Sequence, residues 1–264
     1  MAQSLNSFEP LLPLLEHRPL GVFSDIDGTL APIVPRSEDA RLSTKCRDLL
    51  IALVEGGARV ALITGRTLED ARGTADIDGA AFGASHGLEL FVDGKIESRP
   101  DVEPYVEAAR SVLKETRGLR VDGLIVEDKG PIVAFHYRNS LNEWAARAAI
   151  LDAIGRSPAA ERFVIQEGRK VLELRPPLDI NKGSALLELA DRLEVRSLIC
   201  LGDDRTDIDM FQAAVRLREE GAFGATVAVR SSEIAPEVLD AADYVVDGVS
   251  GVEWLLGELV SALR

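Results

Sequence analysis

Short apolar runs alternate with longer helical patterns along the first hundred residues of the chain. The runs predict β-strands, and the stretches between them repeat apolar residues at helical spacing. The predicted strands cover residues 22–24, 59–63 and 81–84, the helices cover 42–55 and 68–73, and a hairpin covers 88–96. Strands that alternate with helices are typical of a parallel sheet covered on both faces.

The pattern changes between residues 101 and 178. Here helix, two strands, helix and two strands are predicted in turn, at 104–114, 123–126, 132–137, 141–154, 163–166 and 170–174. This order favours an antiparallel sheet with helices on one face. In the second of these helices we place Trp144, Ala148 and Leu151 on the apolar side.

The α/β pattern returns after Pro176 and Pro177. Predicted helices cover 183–193, 206–214 and 252–263, and predicted strands cover 197–201, 226–229 and 244–246. We therefore predict an α/β fold with a doubly wound, Rossmann-like parallel-sheet core of residues 1–100 and 179–264. Residues 101–178 would be an inserted α+β domain. Residues 1–18 are expected to form a loosely ordered lead-in or a short helix.

Composition narrows the class of protein. The 264 residues carry a net charge of −14, which argues against nucleic acid or an anionic membrane as a partner. We find neither a signal-peptide pattern nor an apolar run long enough to span a membrane. Two cysteines are too few for a disulfide framework, and the apolar surroundings of Cys200 favour a buried free thiol. These features predict a cytoplasmic protein, which we expect to be a monomer.

Two carboxylates, Asp25 and Asp27, directly follow the first predicted strand. Because side chains alternate along an extended backbone, both point to the same side. Like charges at such short range repel each other, and a hard cation with oxygen ligands relieves the repulsion. Taken alone, however, these residues also suit a turn with solvated acids, since Asp27-Gly28 is a common type of turn dipeptide.

Three further signals lie at junctions of strands, loops and helices, where doubly wound sheets bind ligands. They are Thr64 after the second strand, Lys182 at a helix start, and the acidic run of Asp203, Asp204 and Asp207. Each has an ordinary alternative: the threonine as a helix N-cap, the lysine as a solvated side chain, and the acids as partners of a helix dipole. Taken together, they favour a functional site.

This combination of groups suits transfer of a phosphoryl group to a carboxylate. Both reactants are anions, and unit charges about 4 Å apart repel by about 4 kcal/mol at an effective dielectric constant of about 20. Mg²⁺ and a lysine ammonium offset that charge. A hydroxyl and backbone N–H groups bind the other oxygens, while a second carboxylate protonates the leaving group and later accepts a proton from water. Covalent capture divides hydrolysis into two easier steps.

Motifs along the whole chain carry a resemblance to a known family. They are Asp25-Ile26-Asp27-Gly28-Thr29 and its extension to residue 33, Thr64-Gly65-Arg66, residues 85–89, 127–130, 136–138, 171–176 and 181–183, and Gly202-Asp203-Asp204-Arg205-Thr206-Asp207 with its extension to 211. With these motifs, residues 19–256 resemble the haloacid dehalogenase superfamily of phosphatases. Within that superfamily, the chain more closely resembles the trehalose-6-phosphate phosphatases. The resemblance implies a haloacid dehalogenase type core with an inserted cap domain of the second type.

The resemblance implies a role for each residue of the predicted core site. Asp25 would be the nucleophile and a Mg²⁺ ligand. Asp27 would be the general acid and base, with its backbone carbonyl on the metal. Thr64 and Lys182 would bind the phosphate.

The acidic run has implied roles in metal binding. Asp203 would bind Mg²⁺ directly and Asp207 through water, whereas Asp204 could do either. Ile208 stands where the family usually has an acid, which removes a charge but no expected direct ligand.

The resemblance also implies a set of substrate-binding residues. They are Arg66, Glu127, Lys129, Arg138, Arg169 and Glu173. Lys170 is an alternative to Arg169. All of these except Arg66 lie in the inserted domain, where alternating charges on two hairpins would otherwise form one solvated face of a sheet. His86 is either a substrate contact or an ordinary satisfied histidine.

Together with the resemblance, these residues imply a Mg²⁺-dependent phosphatase that hydrolyses trehalose 6-phosphate. One alternative is a phosphatase acting on sucrose phosphate or mannosyl-3-phosphoglycerate, which only the inserted domain would distinguish. A second is a sugar-phosphate sensor without turnover. The presence of the complete set Asp25, Asp27, Lys182 and Asp203 argues against the sensor.

Overall fold

The computed structural model describes residues 2–34, 39–99, 101–168, 170–232 and 234–264. Contacts between Cα atoms divide the chain into two units. One consists of the residues up to Glu97 together with Ile180–Arg264, and the other is Ser98–Asp179. Each unit has its own sheet and its own hydrophobic core.

The first unit is built on a nine-stranded sheet within the described residues. Its strands are β1 (Gln3–Ser4), β2 (Leu20–Ser24), β3 (Arg59–Ile63), β4 (Ala81–Ala84), β5 (Glu89–Val92), β6 (Lys95–Ser98), β11 (Ser197–Gly202), β12 (Phe223–Arg230) and β13 (Tyr244–Asp247). The strand order is β1-β13-β12-β11-β2-β3-β4-β5-β6. Neighbouring strands from β1 to β4 run parallel, and β5 is antiparallel to β4.

Helices cover both faces of this sheet. They are α1 (Thr44–Glu55), α2 (Leu68–Thr74), α5 (Lys182–Arg192), α6 (Ile208–Glu219), α7 (Pro236–Ala241) and α8 (Gly248–Leu263). Alternate residues of the central strands enter opposite cores. Val22 packs with α1 and α8, whereas Phe23 packs with α5 and α6. The predicted doubly wound α/β fold is therefore confirmed.

The second unit is a four-stranded antiparallel sheet with two helices. Its elements are α3 (Glu103–Glu115), β7 (Ile125–Asp128), β8 (Val133–His136), α4 (Glu143–Gly155), β9 (Val164–Gly168) and β10 (Val171–Arg175). The strand order is β7-β8-β10-β9. Alternate residues, including Phe135 and Leu172, pack against the helices in one core. The other set of alternate residues forms the opposite face of the sheet.

The predicted apolar side of α4 was wrong for Trp144 and Ala148, whereas Leu151 packs against the core. The helix buries Ala146, Ile150 and Ile154, whereas Trp144 is 80% exposed and Ala148 is also exposed. The sequence of α4 is apolar on several sides, so more than one stripe has helical spacing and the large aromatic residue pointed to the wrong one.

The amino-terminal segment is built into the first unit. β1 pairs with β13, and a 3₁₀ helix at Glu9–Glu16 buries Leu11 and Leu14. Cys46 and Cys200 are both buried free thiols. In the described part of the chain, no helix combines the length and apolar character that a membrane crossing requires.

Candidate functional site

The predicted core residues lie at one edge of the first unit's sheet. Asp25 directly follows β2, Thr64 follows β3 and Asp203 follows β11. Because these three neighbouring strands are parallel, their carboxyl ends meet at this edge. Both Asp25 and Thr64 continue the backbone bonding of the sheet, since their N–H groups donate to Leu201 and Gly83.

Lys182 is the central cation of this cluster. Its Nζ donates to Oδ1 of Asp25 at 2.7 Å and to Oδ1 of Asp207 at 2.6 Å. All three side chains are at most 5% exposed. Lys182 is the first residue of α5, where Asn181 and Ser184 form a reciprocal capping box. The cap fixes the start of the helix and therefore the place from which the lysine reaches the carboxylates.

Asp207 organises the loop after β11. Its Oδ2 accepts the backbone N–H groups of Asp203 and Asp204, both at 2.9 Å, while its Oδ1 accepts from Lys182. A Cβ on Gly202 would lie 2.4 Å from Cβ of Asp207, so only glycine fits there. Asp204 is exposed and accepts the N–H of Arg205. The structure thus gives the neighbouring acids different environments.

Asp203 packs against the turn that carries the first two carboxylates. Its Oδ1 accepts a hydrogen bond from the Thr29 hydroxyl at 3.1 Å. Gly28 has φ +93°, and a Cβ there would meet Oδ2 of Asp203 at 2.1 Å. Thr29 was not among the predicted site residues, although its place in the Asp-Ile-Asp-Gly-Thr run is the signal that could have found it.

The negative charge of the carboxylates in this cluster exceeds the positive charge beside them. Burial raises the pKa of Asp25 well above its ordinary value, with repulsion from Asp207 and Asp203 adding to the effect of burial against the attraction of Lys182. Burial and repulsion from Asp207 likewise raise the pKa of Asp203 to about 7. Oxygens of these three aspartates all lie within 4.8 Å of one another. The donor atoms are buried, all of them are oxygens, and their negative charge is only partly offset by Lys182. Such a set fits a hard divalent cation.

Asp27 and Arg66 form a bidentate ion pair. Nε and Nη2 of Arg66 donate to the two carboxylate oxygens of Asp27, each at 2.7 Å. Nη1 donates to Asp70 at 2.6 Å and to Thr74 at 3.2 Å. The guanidinium is 4% exposed, so this structure places Arg66 as the partner of Asp27. Asp70 and Thr74 were not predicted, but their spacing of four and eight residues from Arg66 puts them within reach along α2.

The hydroxyl oxygen of Thr64 accepts the backbone N–H of Arg66 at 3.2 Å. The threonine is 1% exposed, and its carbonyl accepts the N–H of His86. The N-cap of α2 is Thr67, whose side chain accepts the N–H of Asp70. Thr64 therefore does not serve as that helix cap, and it is held by the turn between β3 and α2.

A second polar cluster lies in the second unit, on the sheet face opposite Phe135 and Leu172. Lys129 Nζ lies 3.0 Å from Oε1 of Glu173 and 3.7 Å from Oε2 of Glu127. The same Glu127 oxygen lies 2.8 Å from Nε2 of His136. The structure thus brings three of the predicted substrate-binding residues together.

The sequence prediction missed three residues of this face. They are His136, Gln166 and Arg175, of which the last donates to Gln166. Their signal is the two-residue repeat of the strands, which places 134 and 136, and likewise 173 and 175, on the same side. Arg138 is half-buried and lies beyond the end of β8. Arg169 lies outside the described residues.

The fold of the chain is that of haloacid dehalogenase superfamily phosphatases. A solved structure of the C-terminal domain of C. albicans trehalose-6-phosphate phosphatase matches it with a TM-score of 0.78 and 22% identity, over 99% of this chain and 98% of that one. The family model for trehalose-phosphatase matches residues 23–250. The chain therefore belongs to the trehalose-phosphatase family.

Two of the curated relatives are longer proteins than this chain. The trehalose-phosphate phosphatase of Mycobacterium marinum is 33% identical over 254 residues, which cover 92% of this chain and 62% of that protein. An uncharacterized glycosyl hydrolase of Mycobacterium tuberculosis is 36% identical over 222 residues, or 80% of this chain and 16% of that protein. The chain thus spans between about one sixth and three fifths of these relatives.

Proposed function

We propose that this chain is a Mg²⁺-dependent phosphatase that hydrolyses trehalose 6-phosphate to trehalose and phosphate. The observation that carries the proposal is the buried cluster in which Lys182 contacts both Asp25 and Asp207 at the carboxyl edge of the sheet. Membership of the trehalose-phosphatase family supports the choice of substrate.

In the first step, an oxygen of Asp25 attacks phosphorus and the bond from phosphorus to the sugar oxygen breaks. The product on the protein is an aspartyl phosphate, and Asp27 gives its proton to the departing sugar oxygen. Lys182 and the Thr64 hydroxyl bind phosphoryl oxygens. Lys182 is suited to this because its carboxylate neighbours raise its pKa despite burial, which keeps it charged.

In the second step, water attacks phosphorus and the bond to Asp25 breaks, which releases inorganic phosphate and restores the enzyme. Asp27 accepts the proton from that water. Both of its carboxylate oxygens accept hydrogen bonds from Arg66, which fixes the orientation of the group. Arg66 would act in this way as a positioning residue for the acid and base.

Asp25, Asp203 and the backbone carbonyl of Asp27 would hold the Mg²⁺ ion. Bound there, it would offset the negative charge of the nucleophile and the phosphate. Asp207, whose carboxylate oxygens accept from Lys182 and two backbone N–H groups, would support the ligand loop and would contact the ion through water.

The polar face of the second unit would recognise the sugar. Disaccharide hydroxyls both donate and accept hydrogen bonds, and their burial is favourable only where each finds a partner. Glu127 and Glu173 offer acceptors, and Lys129 offers donors that are held in place by those carboxylates. Cytoplasmic location and a monomeric state stay predictions of the sequence.

The test is a phosphate-release panel with the purified chain. We expect trehalose 6-phosphate to exceed sucrose 6-phosphate, mannosyl-3-phosphoglycerate and glucose 6-phosphate in kcat/KM by at least about 10-fold, the size of one to two well-placed hydrogen bonds. EDTA should abolish release, and Mg²⁺ should restore it. A clear preference for another sugar phosphate would refute the substrate, and activity that survives chelation would refute the metal dependence.

A further inference from the structure

Three consecutive residues after β4 have left-handed backbone conformations. Ser85 has φ 49°, His86 has φ 58° and Gly87 has φ 96°. Residues other than glycine rarely adopt this region, and such strain persists only where the surrounding structure holds it. All three residues are buried, and none of them takes part in the proposed reaction steps.

One side of this turn fits around the segment Thr64-Gly65-Arg66. The N–H of Ser85 donates to the Arg66 carbonyl at 2.7 Å, and the N–H of His86 donates to the Thr64 carbonyl at 2.9 Å. A Cβ on Gly65 would lie 2.6 Å from Nε2 of His86. The imidazole therefore occupies the space beside Gly65 and leaves no room for a side chain there.

The other side of the turn fits against the start of α5. A Cβ on Gly87 would lie 3.0 Å from the carbonyl oxygen of Asn181 and 2.9 Å from Cβ of Ala185. Asn181 caps α5, and Lys182 is the first residue of that helix. A displacement at Gly87 would thus be transmitted directly to the helix start that carries the lysine.

We infer that the turn Ser85–Gly87 is a positioning element that sets the distance between Thr64 and Lys182. This inference rests on the proposed function, in which these two residues bind the phosphoryl group. They come from distant parts of the chain, and the turn packs between the backbone segments that carry them. Its left-handed conformation is what lets the backbone reach the Thr64 segment and the Asn181 carbonyl within three residues.

The experiment compares Gly87→Ala with Gly94→Ala. Gly94 also has a positive φ, +77°, in the turn between β5 and β6, but a Cβ there meets nothing within 4 Å. Both substitutions strain the backbone, and only Gly87→Ala presses on Asn181. Calorimetry with inorganic phosphate and Mg²⁺ would measure the dissociation constant, and steady-state assays would measure kcat and KM.

We expect Gly87→Ala to weaken phosphate binding by about 10- to 100-fold, as a displaced ligand group would. Its KM for trehalose 6-phosphate should rise, whereas Gly94→Ala should match the wild type in phosphate affinity and KM. A folded Gly87→Ala variant that binds phosphate as tightly as Gly94→Ala would overturn the inference.

A second pair of variants covers the case in which Gly87→Ala does not fold. His86→Ala removes the ring beside Gly65, and His86→Asn restores a residue that tolerates the left-handed conformation. We expect His86→Ala to weaken phosphate binding and His86→Asn to recover part of the loss. Equal phosphate affinity in both variants and the wild type would contradict the positioning role.

The readouts separate this inference from the proposed function. If the wild type binds phosphate but hydrolyses no sugar phosphate, the proposed function fails, and the phosphate affinities still test the turn. If the wild type binds no phosphate at all, the inference fails together with the phosphate site on which it rests.

Discussion

The polar clusters of the two units differ in their balance of charge. In the first unit, three carboxylates lie close together beside one ammonium, that of Lys182. In the second unit, Glu127 and Glu173 lie beside Lys129, and Arg175 is close enough to oppose the lysine charge. The first cluster has an excess of negative charge, whereas the second is close to neutral.

The carboxyl groups of the two clusters have pKa shifts in opposite directions. Burial raises the pKa of Asp203 to about 7, because Lys182 does not compensate for burial and repulsion from Asp207. Glu127 is half-buried, and although its partial burial raises the pKa, the hydrogen bond with His136 and the charge of Lys129 bring that pKa below the ordinary value. Glu173 and Glu127 likewise raise the pKa of Lys129 against the effect of burial.

This difference separates two kinds of recognition. A buried carboxylate cluster with an excess of negative charge is stabilised by a bound cation. Through that cation it can bind a dianionic phosphate. A neutral, fully paired cluster gains nothing from a charged ligand and offers fixed donors and acceptors to a neutral polyol. Charge thus favours an anion as the ligand of the first cluster and a neutral polyol as the ligand of the second.

The largest expected effect is that of Asp25→Asn. The amide keeps the size of the side chain and loses the nucleophile, so phosphate release should fall by at least about 10⁴-fold. Lys182 retains Asp207 as a partner, so the variant should still fold, as circular dichroism would show. Activity within about 10-fold of the wild type would mean that the reaction does not pass through Asp25.

Asp207→Asn should chiefly lower stability. The substitution replaces an oxygen that accepts from Lys182 or from two backbone N–H groups with a donor, at a side chain that is 0% exposed. Breaking a buried pair on one side costs about 3–5 kcal/mol of the free energy of unfolding. Urea denaturation would measure the loss. Asp204→Asn is the control, because Asp204 is exposed, and its effect should stay within about 0.5 kcal/mol.

The second cluster should affect substrate choice and leave phosphate chemistry intact. We expect Glu173→Gln to lower kcat/KM for trehalose 6-phosphate by about 10- to 100-fold, because it removes an acceptor and the partner of Lys129. Hydrolysis of p-nitrophenyl phosphate, which has no sugar, should stay unchanged. Glu167→Gln is a matched control, since Glu167 pairs with Leu172 on the opposite face of the same sheet. Equal losses with both substrates would argue against a sugar-binding role.

The sequence predicted the core site better than the arrangement of its hydrogen bonds. Asp25, Thr64 and Asp203 follow strands directly, and parallel neighbours bring strand ends together, so their proximity followed from the fold class. The pairing of Arg66 with Asp27 did not follow, because it depends on the path of the turn between β3 and α2. Motif spacing indicates that an arginine lies near the site, but it does not identify the carboxylate that the arginine contacts.

The second unit shows a different limit of the sequence. The boundaries of its strands shifted by one or two residues, as for the strand predicted at 123–126 and found at Ile125–Asp128. Register across strands, which places His136 beside Glu127, is a tertiary property that short alternating runs leave open. The prediction of the buried face of α4 failed for a related reason, since an alanine-rich helix has several faces of similar hydrophobicity.

The smallest expected effect is a dependence of Mg²⁺ stabilisation on pH, which we expect for the first cluster and not for the second. Because the folded pKa of Asp203, about 7, exceeds the value of 3.8 for an unperturbed carboxyl, its contribution to stability is complete below about pH 4 and is lost as pH rises through 7. Mg²⁺ must displace that proton, so its stabilisation of the fold should be at least about 1.4 kcal/mol weaker at pH 6 than at pH 8, and the raised pKa of Asp25 adds to the difference. Thermal unfolding with and without Mg²⁺ at both pH values would measure the difference. Asp203→Asn should abolish it, whereas Glu173→Gln should leave it unchanged because its cluster is already neutral. The same Mg²⁺ stabilisation at both pH values would show that the acidic cluster is not where the ion binds.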